Sequence, residues 1–163
     1  MNIKLLRIDS RLIHGQIANN WVNTVGVQTM IAVSDQAAHD DIRKTLLLQV
    51  GKENTKTFVL DLAKMMRVYN NPKYKDLDVL VVVESPQDVI RLMDAGLPVD
   101  KVNVGGITYR EGMTRVTESV SVGPAEIEAF QELDKRGIKL EVQQVPSSSR
   151  ANMMDKLRSA KLI

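Results

Sequence analysis

Cysteine is absent from this 163-residue chain, and aromatic residues make up only 4% of it. The missing thiols exclude disulfides, thiolate nucleophiles and thiolate metal ligands. Few aromatics and a net charge of only +2 argue against a nucleic-acid-binding face, which usually combines basic patches with stacking rings. The longest apolar run, Val79–Val83, is far shorter than the ~20 residues that span a bilayer, and the amino terminus lacks a secretion-signal pattern. We therefore expect a cytoplasmic protein.

Short β-branched runs alternate with stretches of helical periodicity along the whole chain. The pattern predicts strands over residues 2–8, 29–33, 55–60, 78–83, 101–104, 116–122 and 139–145. Helices are predicted between them, the first from about Gly15 to Gly26 and the last over residues 151–160. This alternation predicts right-handed βαβ crossovers. We expect an α/β fold with one domain over residues 1–163, a mostly parallel, open twisted sheet of about seven strands and helices on both faces.

The carboxyl ends of the predicted strands indicate where a site should lie. In an open parallel sheet, ligands bind beyond these ends, where the strand order reverses. The loops that follow four of the strands contain His14, Asp35, Ser85 and Gly105–Gly106. Asp35 either reaches the site or caps the next helix. The diglycine either lets a phosphate or a partner approach, or makes a tight turn.

The loop after the first strand has the residue types of a phosphoryl-binding site. The chain has only two histidines, and His14 is the better placed nucleophile, since an imidazole is largely neutral at pH 7. Arg11 offers a bidentate guanidinium, and the helix start at Gly15 and Gln16 offers free N–H groups and a positive dipole end. Asp9 is placed to fix the His14 tautomer or to hold Arg11. Spacing alone leaves open a second interpretation, in which His14 caps a turn and Arg11 pairs with Asp9 at the surface.

The run Arg7–Gln16, RIDSRLIHGQ, closely resembles the phosphorylation-site signature R-I/V-D-D/E-R-L-I-H-G-Q. That signature belongs to enzyme IIB of the mannose/fructose/sorbose family of the bacterial sugar phosphotransferase system. Three further segments are similar to family segments, namely Val102–Ile107 (V-N-V-G-G-M in the family), Val33–Asp35 (V-N-D) and the late helix-to-strand segment Leu133–Leu140. The resemblance extends over essentially the whole chain. It agrees with the absence of cysteine, because most other families of this system use a IIB cysteine.

The resemblance implies a phosphotransferase with a phosphohistidine intermediate. A IIA component would phosphorylate His14, and the protein would pass the phosphoryl group to a sugar held by the membrane components IIC and IID, at the inner face of the cell membrane. Arg11 and Asp9 match site residues of the family. Phosphate or substrate binding is expected from Gly15, Gln16 and Asp35. No cofactor, metal ion or nucleic acid is expected, whereas the sugar and the formation of a homo-oligomer are left open.

The chain departs from the family pattern at Ser10, where a second acid is common, and at Ile107, where methionine is usual. Two other functions fit a doubly wound sheet, a non-catalytic nucleotide-binding module and a nucleotidyltransferase with an H-x-G-H turn. The chain has neither G-x-G-x-x-G after its first strand nor G-x-x-x-x-G-K, and its run His14–Gln16 lacks the second histidine. The other histidine, His39, is expected at a solvated helix start rather than in a metal site.

Overall fold

Nine β-strands form one seven-stranded sheet and one two-stranded hairpin in the structure, a computed structural model that describes residues 1–163. The strands are β1 (Asn2–Asp9), β2 (Thr29–Val33), β3 (Lys56–Leu60), β4 (Asp78–Val83), β5 (Lys101–Gly106), β6 (Thr114–Arg115), β7 (Ser121–Val122), β8 (Lys139–Val142) and β9 (Ala151–Asn152). The sheet has the order β3-β2-β4-β1-β5-β8-β9, and every neighbouring pair is parallel except β8 and β9. The predicted mostly parallel sheet of about seven strands is confirmed.

Six α-helices lie between these strands in the chain, and a seventh follows the last strand. They are α1 (Val22–Val25), α2 (Asp35–Ala38), α3 (Asp41–Leu48), α4 (Leu62–Tyr69), α5 (Pro86–Asp94), α6 (Pro124–Lys135) and α7 (Met153–Ser159). A π-helical segment, Ile17–Trp21, leads directly into α1, and Gly26 ends that helix with a φ of 72°, as its position predicts. A short 3-10 helix, Pro72–Tyr74, follows α4. None of the helices is both long and apolar enough to cross a bilayer.

The main sheet is buried on both faces, which explains why its central strands are apolar at consecutive positions. All five residues of Val79–Val83 in β4 are fully buried. Helices α4, α5, α6 and α7 cover the larger core cluster on one face. The segment 17–25, α2 and α3 cover the smaller core cluster on the other face. The prediction of helices on both faces is therefore confirmed.

Strand β1 places its side chains alternately on these two faces. Leu6 and Ile8 belong to the larger cluster, so Arg7 and Asp9 point to the opposite face, beneath segment 17–25. After β1 the chain continues to β2, toward the β3 edge of the sheet. After the neighbouring β5 it continues to β8, toward the β9 edge. The switch point of the sheet therefore lies between the carboxyl ends of β1 and β5, where Asp9 is in register with Gly106.

The strand predicted over residues 116–122 is wrong for most of its length. Only its last three residues pair: Ser121–Val122 form β7 with β6, outside the main sheet, and Val120 forms a single bridge with Ile107. The hydroxyl of Thr117 accepts hydrogen bonds from the amides of Ser119 and Val120, at 3.3 and 3.0 Å. Such a side-chain-to-backbone pattern bends the chain into a turn and interrupts an extended strand.

The last strand and helix also have bounds that differ from the prediction. Strand β8 ends at Val142 because the hydroxyl of Ser148 accepts from the amide of Val145 and donates to its carbonyl, which closes a turn. The helix predicted from residue 151 begins at Met153, since the two preceding residues form β9, antiparallel to β8. The side chain of Asn152 caps this helix. Strand β9 therefore supplies the seventh strand of the main sheet.

Candidate active site

The loop after β1 folds back over the end of its own strand. The amide of Leu12 donates to the carbonyl of Asp9 at 2.8 Å, and Leu12 has a φ of 59°, in the left-handed region that non-glycine residues rarely adopt. The Leu12 side chain is fully buried in the smaller core cluster, and this burial offsets the backbone strain. The turn brings His14 back to the carboxylate of Asp9.

His14 and Asp9 form a close pair at the end of β1. Nε2 of His14 lies 2.8 Å from Oδ2 of Asp9. The carboxylate is almost completely buried, whereas the His14 side chain keeps 16% of its surface exposed. Because an ionised carboxylate only accepts hydrogen bonds, Nε2 carries the proton of this bond, and in the neutral imidazole Nδ1 therefore keeps its lone pair.

Donors and positive charge surround the carboxylate of Asp9. Its Oδ2 also accepts from Nη2 of Arg7 at 3.0 Å, and its Oδ1 accepts from the amide of Arg11 at 3.1 Å. Burial by itself raises the pKa of Asp9, but the hydrogen bond with His14 and the charge of Arg7 outweigh burial and hold the pKa below its ordinary value. Asp9 is therefore an ionised carboxylate at neutral pH and is placed to stabilise positive charge that develops on the imidazole.

Arg7 is a site residue for which the sequence motif predicts no role. Its side chain is fully buried, and Nη1 donates to Oδ1 of Asn103 at 2.7 Å and to the carbonyl of Gln143 at 3.1 Å. The guanidinium lies 5.5 Å from the ring centroid of Trp21, a cation–π distance. Burial lowers the pKa of Arg7, but a guanidinium starts so high that it stays charged. The signal in the sequence is a cation on a buried strand, since such a cation needs a paired anion.

Gly105 lies in β5 beside the guanidinium of Arg7. The two strands are in register at Arg7 and Asn103, and a Cβ atom at Gly105 would fall within the Arg7 guanidinium. Strand β5 continues through both glycines, so the tight turn considered for them is wrong. The first glycine instead makes room for a buried side chain. A Cβ atom at Gly106 would stay 3.6 Å from its nearest neighbours.

Arg11 lies on the solvent side of the His14–Asp9 pair. Its side chain is 55% exposed, with Nε 3.8 Å from Oδ1 of Asp9 and Nη2 3.2 Å from Nε2 of His14. Because Nε2 donates its proton to Asp9, the contact with Nη2 is a close approach of two donors and not a hydrogen bond. Because Asp9 already binds Arg7 and His14, the guanidinium of Arg11 keeps most of its donors free for an anion. The structure therefore brings together the three residues that the signature loop predicts as catalytic.

A helix begins directly after His14, and the carbonyl of His14 accepts its first hydrogen bond. The amide of Ile17 donates to the carbonyl of His14 at 3.0 Å, so the amides of Gly15 and Gln16 precede the helical hydrogen-bond pattern. A Cβ atom at Gly15 would make only an ordinary contact, at 3.7 Å. Oε1 of Gln16 is buried and has no hydrogen-bond partner. Both residues thus stand where the helix dipole favours an anion next to His14.

Ser10 joins the His14 loop to the loop after β5. Its Oγ lies 2.9 Å from Oγ1 of Thr108 and accepts from the amide of Thr108, also at 2.9 Å. The amide of Ser10 donates to the carbonyl of Gly106 at 2.9 Å. A hydroxyl can both donate and accept, which an ionised carboxylate cannot do. The serine at this position therefore ties two loops of the site edge together.

Asp35 makes its contacts elsewhere on the same edge of the sheet. Its carboxylate accepts from the amide of Leu62 at 2.9 Å and from Nη2 of Arg91 at 2.6 Å, and these two bonds lower the pKa of Asp35. Asp35 thus binds the first amide of α4, a helix that Asp61 caps, and it does not cap its own helix α2, which Ser34 caps. None of these contacts is with the residues around His14, so a phosphate-binding role of Asp35 stays a prediction.

A polar cavity opens beside the His14 loop. It has a volume of about 330 Å³ and lies between residues 9–11 and the β6–β7 hairpin. Hydroxyl, amide and charged groups form most of its wall, among them the side chains of Ser10, Arg11, Arg115 and Ser119. The loop therefore borders an open polar recess at the switch point of the sheet. Residues 1–163 contain no group of three or more His, Cys, Asp or Glu side chains placed to hold a metal ion.

Comparisons with known proteins agree on one family. The family described as "PTS system sorbose subfamily IIB component" matches residues 3–163. The mannose-specific EIIAB component from Escherichia coli K12 is 48% identical over 155 residues, which are 95% of this chain and 48% of that protein. The chain thus spans about half the length of that relative. The fructose-specific EIIB component from Bacillus subtilis is 39% identical over 159 residues, 98% of either chain.

Solved structures have the same fold as this chain. The crystal structure of the IIBSor domain of the sorbose permease from Klebsiella pneumoniae matches with a TM-score of 0.93 and 38% identity, covering 98% of both chains. The N-acetylgalactosamine-specific IIB component 1 from Escherichia coli matches with a TM-score of 0.83 and 27% identity, covering 93% of this chain and 99% of that chain.

Proposed function

This chain belongs to the sorbose subfamily of IIB components of the sugar phosphotransferase system, and we propose that it carries a phosphoryl group on His14. IIB components are phosphotransferases that take part in sugar phosphotransfer. Within that role, the proposal assigns two transfers. A IIA component phosphorylates His14, and the phosphohistidine then passes the group to a sugar held by the membrane components IIC and IID.

The observation that carries the proposal is the 2.8 Å hydrogen bond between Nε2 of His14 and Asp9. The bond occupies Nε2 and leaves Nδ1 as the nucleophile. As the Nδ1–P bond forms, the N–P bond of the donor phosphohistidine breaks and its electron pair returns to the donor nitrogen. Nε2 keeps its proton throughout, so the His14 ring gains positive charge. The carboxylate of Asp9 stabilises that charge.

Positive groups next to His14 suit the oxygens of a transferring phosphoryl group. In phosphoryl transfer the charge spreads over three equatorial oxygens, and catalysis consists mostly of positioning and electrostatic stabilisation. The guanidinium of Arg11 offers a planar fork to two of these oxygens. The amides of Gly15 and Gln16 add donors at the positive end of a helix.

An exposed edge of His14 suits transfer between two proteins. The side chain is 16% exposed, and the polar cavity beside Arg11 leaves room for an approaching group. Encounters of this kind bury a small area and are short-lived. The Escherichia coli relative has a name that joins the A and B designations, which supports a IIA component as the donor.

The test of His14 compares the only two histidines of the chain. His14→Ala and His39→Ala are incubated with the upstream phosphocarriers and the IIA partner, and intact mass is measured. We expect His14→Ala to fold, by circular dichroism, and to gain no phosphoryl mass. His39 is 72% exposed and lies 3.4 Å from Asp61, so His39→Ala should gain the full phosphoryl mass. A full gain in His14→Ala would overturn the proposal.

The second transfer is tested separately with phosphorylated wild-type protein. The protein is mixed with membranes that contain its own IIC and IID, and mannose, fructose or sorbose is added. The sugar that removes the phosphoryl mass fastest is the substrate. If none of the sugars removes the phosphoryl group while the donor IIA component takes it back, the protein carries the group on His14 but does not transfer it to these sugars.

A further inference from the structure

Arg7 is a buried cation that takes no direct part in the proposed phosphoryl transfer. Its side chain has no exposed surface, and it contacts Asp9 from the protein interior, away from any incoming phosphoryl group. Removing a charge from water in this way costs free energy unless the charge is paired and hydrogen-bonded. The contacts of Arg7 therefore have to explain why a cation is kept at this position.

We infer that Arg7 is a positioning residue, which holds Asp9 in the orientation in which its carboxylate binds the Nε2 proton of His14. The inference rests on the proposed phosphorylation of His14. Nη2 of Arg7 and Nε2 of His14 donate to the same atom, Oδ2 of Asp9, at 3.0 and 2.8 Å. Because Oδ2 accepts both bonds, the carboxylate cannot rotate away from the guanidinium without also losing the imidazole.

Two further groups fix the guanidinium, the side chain of Asn103 in β5 and the carbonyl of Gln143 just after β8. Nη1 donates to Oδ1 of Asn103 at 2.7 Å, and Nδ2 of Asn103 donates to the carbonyl of Gln143 at 3.2 Å, which turns the oxygen of Asn103 toward Arg7. The same carbonyl accepts from Nη1 of Arg7 at 3.1 Å. Arg7 and Asn103 are in register between two central strands. The orientation of the guanidinium thus comes from β5 and from the residue that directly follows β8.

Gly105 provides the space that the guanidinium fills. A methyl group at Gly105 would overlap the guanidinium of Arg7 and push it off Asp9. The neighbouring glycine offers a matched control, since a Cβ atom at Gly106 would stay 3.6 Å from the carboxylate oxygens of Asp9. Comparing alanine at Gly105 with alanine at Gly106 therefore distinguishes displacement of Arg7 from a general effect of alanine in β5.

The first test is Arg7→Met, which removes the charge and the donors but keeps a long side chain. Nitrogen-15 NMR of the His14 imidazole reports its tautomer, and single-turnover transfer from phosphorylated IIA reports the rate. We expect the Nε2–H tautomer in the wild type and a mixture in Arg7→Met. The transfer rate should fall about 10- to 100-fold, as when groups that orient a ligating histidine are removed. Arg7→Lys keeps the charge, and its transfer rate should lie between those of the wild type and Arg7→Met.

The second test changes the space around the guanidinium without altering a polar side chain. Gly105→Ala should mix the His14 tautomers and slow transfer as Arg7→Met does, whereas Gly106→Ala should keep the wild-type tautomer and rate. The combined Arg7→Met and Gly105→Ala variant should be no slower than Arg7→Met alone. In that variant the added methyl group has no guanidinium to displace, so the two effects are not additive.

The outcomes separate this inference from the proposed function. Wild-type tautomer and rate in Arg7→Met and Gly105→Ala would overturn the inference and leave phosphorylation of His14 intact. A loss of unfolding free energy alone, with tautomer and rate unchanged, would make Arg7 purely structural and would overturn it equally. Phosphorylation of His14→Ala would instead refute the proposed function. If Arg7→Met does not fold, Arg7→Lys and Gly105→Ala are judged by the same two measurements.

Discussion

The carboxylate of Asp9 and the imidazole of His14, five residues apart in the chain, meet at 2.8 Å across a loop that reverses direction. Asp9 is the last residue of β1 and is held by the sheet, whereas His14 directly precedes a helix. A rigid strand thus orients a side chain that a loop carries. In the proposed phosphorylation of His14, the pair determines which ring nitrogen is free to accept the phosphoryl group.

We expect Asp9→Asn to slow phosphorylation of His14 by about 100-fold or more, because an amide cannot accept all the hydrogen bonds that this carboxylate receives. An amide nitrogen turned toward His14 would force Nε2 to accept and would move the proton to Nδ1, the nucleophilic atom. Rapid-quench single-turnover kinetics measure the rate. Asp155→Asn, which changes an exposed carboxylate in α7, is the matched control. Equal rates for Asp9→Asn and the wild type would contradict the assigned orientation.

The free energy of unfolding should depend on pH through Asp9. Burial raises the pKa of Asp9, but the bond with His14 and the charge of Arg7 lower it further, so the folded-state pKa lies below the unfolded value. The stabilisation is therefore complete above the ordinary Asp pKa of about 3.9 and is lost as pH falls through the folded-state pKa. Urea unfolding at a series of pH values should show a smaller acid loss in Asp9→Asn than in the wild type. Parallel pH curves would exclude this contribution.

Arg11→Lys should slow phosphorylation of His14 without changing the stability of the fold. A lysine supplies one point charge in place of a planar fork, and loss of one charge-assisted hydrogen bond of about 1.5 kcal/mol corresponds to a step about tenfold slower. The Arg11 side chain is 55% exposed, so the urea midpoint should not move. Arg158→Lys, an exposed arginine in α7, controls for the substitution itself. A rate equal to that of the wild type would remove Arg11 from the phosphoryl-binding groups.

Ser10→Ala should lower the free energy of unfolding by about 1 kcal/mol or less, because it removes two hydrogen bonds to Thr108 at a partly exposed position. Urea unfolding measures the change, and Ser159→Ala, at the exposed end of α7, is the control. The His14 tautomer should stay as in the wild type, since Ser10 has no hydrogen bond to Asp9 or His14. A change of tautomer would mean that the Ser10–Thr108 contact positions the site directly.

Central strands were predictable from the sequence because burial on both faces leaves a direct mark on it. Thr29–Val33 and Asp78–Val83 form strands with the bounds that their apolar runs predict, and both are internal to the sheet. The first helix ends at Gly26 as expected, since its left-handed φ of 72° suits glycine. In these segments local pattern and final environment agree.

Short edge elements were not predictable in the same way. Strands β6, β7 and β9 contribute two residues each, too few for a period-two pattern to be recognised. Their pairing follows from turns closed by the hydroxyls of Thr117 and Ser148. A hydroxyl forms such a turn only when the surrounding chain brings its partner amide into reach, so the residue type alone does not specify it.

The sequence by itself determined where the residues that we propose for the chemistry lie. A strand followed by a helix in a parallel sheet puts the signature loop, with Asp9, Arg11 and His14, at the carboxyl edge of that sheet. Only the tertiary structure decided how that chemistry is oriented. Arg7 meets Asn103, 96 residues away, because the register of β1 on β5 places them side by side, and Gly105 leaves the space. The hydrophobic pattern of each strand indicates which face is buried, but which residue of β5 lies beside Arg7 is decided only when the two strands pair in the sheet.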